Sequence, residues 1–141
     1  MIRTGSAHYD GLGKAGKGRV STQSGVLSDA RYDFNTRFEN EAGTNPEELV
    51  AAAHASCFTM ALSFALAKAG HEDGTLDTKA AVTLDKDGDG FKVTKSALTL
   101  TARIPGISES EFERIAAEAK AGCPISKLLN AEITLETTLE S

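Results

Sequence analysis

The 141-residue chain is predicted to fold as an α+β domain. Three observations carry that expectation. Two-residue alternation of apolar and polar side chains marks strands at both ends of the chain. A single long apolar run between Thr44 and Gly70 has the start and stop signals of one helix. Two shorter helical segments then separate the last strand from those before it. The length suits one domain with its own core. Hydrophobic residues at 40% and charged residues at 25% are globular values. The net charge of −5 speaks against a general nucleic-acid binder and a polybasic membrane binder, and the absence of Trp speaks against base stacking.

The elements follow in order. Residues 1–40 are polar and rich in Gly, Ser and Thr. The opening segment Met1-Ile2-Arg3-Thr4-Gly5-Ser6 lacks the apolar stretch of a signal peptide, so a cytoplasmic location is expected. Gly11-Leu12-Gly13-Lys14-Ala15-Gly16 matches a dinucleotide-binding pattern. That pattern needs a helix after it, and strand-like Lys17-Gly18-Arg19-Val20-Ser21-Thr22 follows instead. A hairpin loop is the expectation. Arg31 to Phe38 alternates, with Tyr32, Phe34, Thr36 and Phe38 on one face, and predicts a half-buried strand.

In the long helix Asn45 is the N-cap, Pro46 the first helical residue, and Glu47 and Glu48 the acidic first turn. Lys68 and Gly70 mark its end. About 24 residues give a helix of roughly 36 Å. It is apolar nearly all round, which fits either a membrane span or a buried helix. Abundant Ala and Ser, an internal His54 and two glutamates at its start favour burial. One small sheet cannot cover every side of such a helix, whereas a second copy can. A homodimer with the helices packed inside two sheets is therefore expected.

Thr78 to Asp85 and Phe91 to Ile104 predict a strand pair joined by a Gly/Asp-rich turn. The acidic spacing in that turn imitates the start of a calcium loop, but Ser96 stands where the closing glutamate belongs. Ser108 with Glu111 opens a helix that runs to Ala121 and is ended by Gly122. Cys123-Pro124 starts a short helix through Leu129, and Ile133, Leu135, Thr137 and Leu139 alternate as a last strand.

Two cysteines, Cys57 and Cys123, are too few for a disulfide framework. Cys57 on an Ala-rich helix has an inert reading as a small apolar side chain. Cys123 at the start of a helix, where free N–H groups favour a thiolate, has a reactive one. His54 and Cys57 form an H-x-x-C pair, and Cys123 is a third possible metal ligand. Zinc wants three or four supported ligands, and His8 and His71 lack ligand spacing. A hydrogen-bonded core histidine is the commoner role for His54.

Three segments carry a resemblance: Gly43-Thr44-Asn45-Pro46-Glu47-Glu48-Leu49, Ala52-Ala53-His54-Ala55-Ser56-Cys57-Phe58, and Ala121-Gly122-Cys123-Pro124-Ile125-Ser126. With Phe34-Asn35-Thr36-Arg37-Phe38, they resemble the osmotically inducible protein C (OsmC) branch of the family that also contains the organic hydroperoxide resistance proteins. The likeness runs from about Ala7 to the end, residues 1–141 forming a single OsmC-like domain. It implies an intertwined homodimer with long central cysteine-bearing helices enclosed by antiparallel sheets. It also implies a thiol peroxidase that reduces organic hydroperoxides. Cys57 matches the peroxide-attacking cysteine, Cys123 the resolving one, Arg37 the branch's arginine and Glu47 the family's glutamate. In the sister branch the arginine comes from the Gly-rich stretch, where Arg19 stands here.

The chemistry needs two thiols and no cofactor. A thiolate splits the O–O bond to give a sulfenic acid and an alcohol, and a second thiol condenses with it to a disulfide and water. A cysteine of pKa about 8.5 is only about 3% thiolate at pH 7. Cys57 lies deep in its helix, where the dipole has faded and burial raises a thiol's pKa. Two units of lowering take about 2.7 kcal/mol, and one arginine at 4 Å supplies on the order of 4 kcal/mol before desolvation. Glu47 is a natural anchor for Arg37. Along one helix it stands about 15 Å in rise and roughly 80° in azimuth from Cys57, so Arg37 must bridge the gap or the pair must come from the other subunit. Phe58, Met60, Leu62, Phe64 and Ile125 offer an apolar wall suited to bulky hydroperoxides. A lipoyl-type dithiol is the reductant that the resemblance suggests. A redox-responsive binding protein switched by the same cysteines, and a plain dimeric domain, are the competing expectations.

Overall fold

The computed structural model of the chain describes residues 1–141. They divide into two compact units, Met1–Leu49 and Val50–Ser141.

The first unit is built on an antiparallel sheet of order β1-β2-β3, with β1 Gly5–Asp10, β2 Lys17–Thr22 and β3 Ala30–Tyr32. The glycine-rich segment is the β1–β2 hairpin loop, since Asp10 pairs with Lys17 across it. Gly11 and Gly13 have φ of 74° and 70°, a left-handed backbone that glycine adopts without strain.

The expected strand from Arg31 to Phe38 ends at Tyr32, and Phe34–Phe38 is a helical turn, α1. Local hydrogen bonds overrule the alternation. Asp33 caps α1, its Oδ1 accepting from the N–H groups of Asn35 and Thr36 at 3.0 and 3.2 Å. Thr36 Oγ1 returns the bond by accepting from the Asp33 N–H at 2.8 Å. Phe34 and Phe38 then stack one turn apart, with ring centroids 5.0 Å from each other. Arg31 braces the cap, its Nε donating to Asp33 at 2.8 Å.

Helix α2, Pro46–Lys68, starts in the first unit and lies mostly in the second. Asn45 Oδ1 accepts from the Glu48 N–H at 2.8 Å, as the capping signal foretold. The Glu48 carboxylate accepts from the Thr44 hydroxyl at 2.8 Å instead of closing a box onto Asn45. Gly70, at φ 98°, ends the helix and lets the His71 N–H reach the Leu66 carbonyl at 2.9 Å.

The second unit holds a sheet of order β4-β5-β6, with β4 Thr75–Asp87, β5 Gly90–Arg103 and β6 Glu132–Glu140. The β4–β5 hairpin is longer than its sequence limits suggested. Its ladder runs from Thr75↔Arg103 to Asp87↔Gly90 and turns on Gly88 and Asp89. Asp85 thus lies within the ladder and accepts from the Thr94 hydroxyl at 2.6 Å. The expectation of antiparallel sheets describes β1–β2, β2–β3 and β4–β5, while β6 runs parallel to β5. Parallel pairing needs a crossover, supplied by α3, Glu109–Gly122, and α4, Pro124–Leu128.

One buried cluster joins these elements. Phe58, Leu62 and Leu66 come from α2; Leu98, Leu100 and Ala102 from alternate positions of β5; Phe112, Ile115, Ala116 and Ala119 from α3. In length and composition α2 is the one helix able to cross a membrane. One of its stripes, through His54, Phe58, Leu62 and Leu66, is buried within this unit. Another exposes Met60 and Phe64.

Candidate active site

Cys57 lies midway along α2, one residue before Phe58 of the buried stripe, and is half-buried. Cys123 is wholly buried at the joint between α3 and α4. Its N–H closes α3 on the Ala119 carbonyl at 2.9 Å, and its own carbonyl accepts the Lys127 N–H of α4 at 3.2 Å. Pro124, lacking an N–H and disfavouring α geometry in the residue before it, fixes the break there. Both cysteines are free thiols, and their sulfurs share a hydrogen bond at 2.9 Å across 66 sequence positions.

The two sulfurs have unequal surroundings. Burial, then the bond to Cys123, pushes the Cys57 thiol up, with only the Ile125 N–H opposing. Burial works in the same sense on Cys123. Hydrogen bonds from Cys57, the Ser126 N–H and hydroxyl, and the Ile125 N–H outweigh it and hold Cys123 below its ordinary value. Burial thus prevails at Cys57 and hydrogen bonding at Cys123.

His54, one turn before Cys57, is wholly buried. Its Nδ1 meets Ser96 Oγ of β5 at 2.6 Å and its Nε2 meets Ser126 Oγ of α4 at 2.8 Å. Burial lowers its pKa, so the ring is neutral. The core role expected of His54 is the observed one. Ser96 and Ser126 escaped the sequence reading as site residues, although Ser126 stands three positions after Cys123 in the Cys-Pro-x-Ser segment. No group of three or more His, Cys, Asp and Glu side chains has a metal-holding arrangement.

A second pairing lies in the first unit. Arg37, in the last turn of α1, forks onto Glu47 in the first turn of α2, Nε to Oε1 at 2.7 Å and Nη2 to Oε2 at 3.1 Å. The side chain of Asn45 ties the two helix ends together by donating to the Thr36 carbonyl at 3.3 Å. A forked guanidinium–carboxylate bond fixes the arginine's direction as well as its charge. Arg19, on β2, donates to the Gly18 carbonyl at 3.0 Å and makes no ion pair.

The expected apolar wall needs correction. Phe58 and Leu62 are fully enclosed in the core and line no entry. Met60 and Phe64 project instead into a groove with Ala52, Ser56 and Thr78.

An α+β scaffold with two free thiols in contact defines a two-cysteine redox protein. The family model described as OsmC-like protein matches residues 38–138, and the chain belongs to that family. It is 55% identical over 139 residues to the peroxiredoxin OsmC of Escherichia coli strain K12, covering 99% of this chain and 97% of that protein. Among solved structures it is similar to the organic hydroperoxide resistance protein OhrB of Bacillus subtilis. The TM-score is 0.67 at 28% identity, over 97% of this chain and 98% of the other. An organic hydroperoxide resistance protein OsmC from Legionella pneumophila matches with a TM-score of 0.68 at 26% identity, over 100% and 98%.

Proposed function

We propose that the chain is a thiol-dependent peroxidase that reduces organic hydroperoxides to alcohols. The observation that carries this is the 2.9 Å contact between Cys57 and Cys123. Cys57 thiolate attacks the hydroperoxide, the O–O bond breaks, and Cys57 sulfenic acid and an alcohol result. Cys123 attacks that sulfur next and water leaves, giving a Cys57–Cys123 disulfide. The relatives' printed names, a peroxiredoxin and organic hydroperoxide resistance proteins, support the substrate class.

Cys57 as attacker needs a cation that its own unit does not provide, because burial there raises its pKa. Arg37 is assigned that part, with Glu47 as the anchor that aims it. Residues 1–141 act as one OsmC-like domain within a homodimer, a second copy covering the exposed Met60 and Phe64 of α2. A dithiol of lipoyl type reopens the disulfide, and the cytoplasm is the assigned location.

The test uses cumene hydroperoxide with a dithiol reductant. Wild type consumes the hydroperoxide, and denaturing thiol titration after one equivalent finds both cysteines lost. Arg37→Ala slows consumption by about 10- to 100-fold, the loss expected from one to two pKa units at Cys57, with an unchanged circular dichroism spectrum. A wild type that consumes nothing overturns the peroxidase reading. An unaltered rate in Arg37→Ala overturns the role of Arg37 alone.

A further inference from the structure

The contact between Cys57 and Cys123 depends on where a short helix lies. Helix α4, five residues long, begins directly after Cys123 and carries it. So short a helix has no stability of its own and is held by what it packs against. Ile125 packs on the buried core, whereas Leu128 is exposed. Ser126 is the one side chain of α4 that hydrogen-bonds to another element, its Oγ meeting His54 Nε2 of α2 at 2.8 Å. His54 is fixed from its other edge, Nδ1 meeting Ser96 Oγ of β5 at 2.6 Å. His54 and Ser96 are wholly buried, so these bonds are what satisfies them. A neutral imidazole has one donor and one acceptor nitrogen, and a hydroxyl plays either part, so both bonds form in either tautomer. His54 stands three residues before Cys57, and Ser126 three after Cys123. The His54–Ser126 bond and the 2.9 Å sulfur contact therefore join the same two segments, side by side. Oxidation of Cys57 to a sulfenic acid alters the sulfur contact. The His54–Ser126 bond contains no reacting atom and outlasts that step.

We propose that His54 is a positioning residue: through Ser126 it holds α4 against α2, so that Cys123 stays within reach of Cys57 once the peroxide has been reduced, with Ser96 fixing the ring. The inference deepens the peroxidase reading above and rests on it. In the step that His54 serves, the Cys123 sulfur attacks the Cys57 sulfur, the S–S bond forms and the Cys57 S–O bond breaks. The hydroxyl leaves with the Cys123 thiol proton as one water. The Cys57 sulfur is reduced and the Cys123 sulfur oxidised, so the step needs no further oxidant. His54 gains and loses no proton in it. Its contribution is proximity, which raises the effective concentration of one sulfur at the other and is lost steeply with small displacements. A sulfenic acid left waiting meets a second hydroperoxide instead. It then takes up another oxygen to become a sulfinic acid, and a second alcohol leaves.

A general loss of structure would slow both steps of the cycle together, so the test separates them. One equivalent of cumene hydroperoxide is mixed with fully reduced protein and no reductant. Hydroperoxide loss reports the attack of Cys57, and the decay of dimedone-trappable sulfenic acid reports closure. Ser126→Ala keeps the first rate within about threefold of wild type and slows closure about tenfold or more. Ser126→Thr, which retains the hydroxyl, restores closure. His54→Asn, whose amide replaces the Nδ1 edge and leaves nothing at Nε2, slows closure as Ser126→Ala does. The double variant is no slower than the slower single one, because both remove the same bond. Ser126 is only half-buried, so its alanine variant keeps the test available should His54→Asn fail to fold. A second readout needs no peroxide: the equilibrium of the cysteine pair with dithiothreitol, in which Ser126→Ala lowers the disulfide's formation constant about tenfold. Closure at the wild-type rate in Ser126→Ala overturns the positioning role. So does an equal fall in both rates, a threonine variant as slow as alanine, or effects that multiply in the double variant. If wild type consumes no hydroperoxide, the peroxidase reading falls, and the dithiothreitol equilibrium alone judges the hold of His54 on α4. An unshifted equilibrium in Ser126→Ala overturns that hold in either case.

Discussion

His54 shows how one buried side chain couples stability to pH. Unfolded, its imidazole takes a proton near pH 6.5, whereas burial depresses that value in the folded chain. Below the unfolded value the unfolded state therefore binds more protons. The stability tied to the neutral ring is complete above about pH 6.5 and drains away as pH falls toward the folded pKa, by at most about 1.4 kcal/mol per pH unit. Urea midpoints at pH 7.5 and 5.5 measure this, and the drop should be smaller in His54→Gln than in wild type. Equal drops would show that other groups set the slope. Asp33 acts in a separate window. Its bond to Arg31, against a burial penalty and with help from the Thr36 and Asn35 N–H groups, holds its carboxyl below the ordinary range. Its contribution is present above about pH 3.8 and is lost in stronger acid. The meeting of Cys57 with Cys123 and the pairing of Arg37 with Glu47 were expected from contiguous motifs, and both contacts are present. Ser96 was not, since only folding brings it across 42 positions to His54.

Among elements, helix ends were the most readable. The Asn45 and Ser108 caps both form, each accepting the backbone N–H three residues on. Asn45→Ala should cost about 1 kcal/mol of stability, checked by a shifted denaturant midpoint at unchanged slope. The same change frees the carbonyl of Thr36 from its side-chain donor. The turn α1 misled because Phe34 and Phe38 are spaced by four, a separation compatible with one face of a strand and with adjacent turns of a helix. The deciding signal was Asp33 with Thr36, a capping pair that outranks alternation over so short a span. The direction of β6 was hidden for another reason. Alternation in Ile133 to Leu139 reports which face is buried and carries nothing about the sense of pairing, which the α3–α4 crossover sets.

For the whole molecule, the exposed stripe of α2 is the surface on which the proposed assembly rests. Met60 is 62% exposed and Phe64 70%, side chains that a helix turned only toward its own core would not display together. The proposed homodimer covers them. Phe64→Glu places a carboxylate in that interface and should shift sedimentation from dimer to monomer at micromolar protein. A variant that sediments as wild type would place the contact elsewhere.

The meeting of Cys57 and Cys123 also has a mechanical consequence. Oxidation would tie α2 to the α3–α4 joint and close a covalent ring spanning 66 sequence positions. Restricting the denatured chain in this way is worth on the order of 4 kcal/mol in the chain-entropy view. The spent form of the protein is then its hardiest form. Each turnover would leave behind a molecule better armoured against heat than the one that began it, and that reinforcement must be undone before the next peroxide can be met.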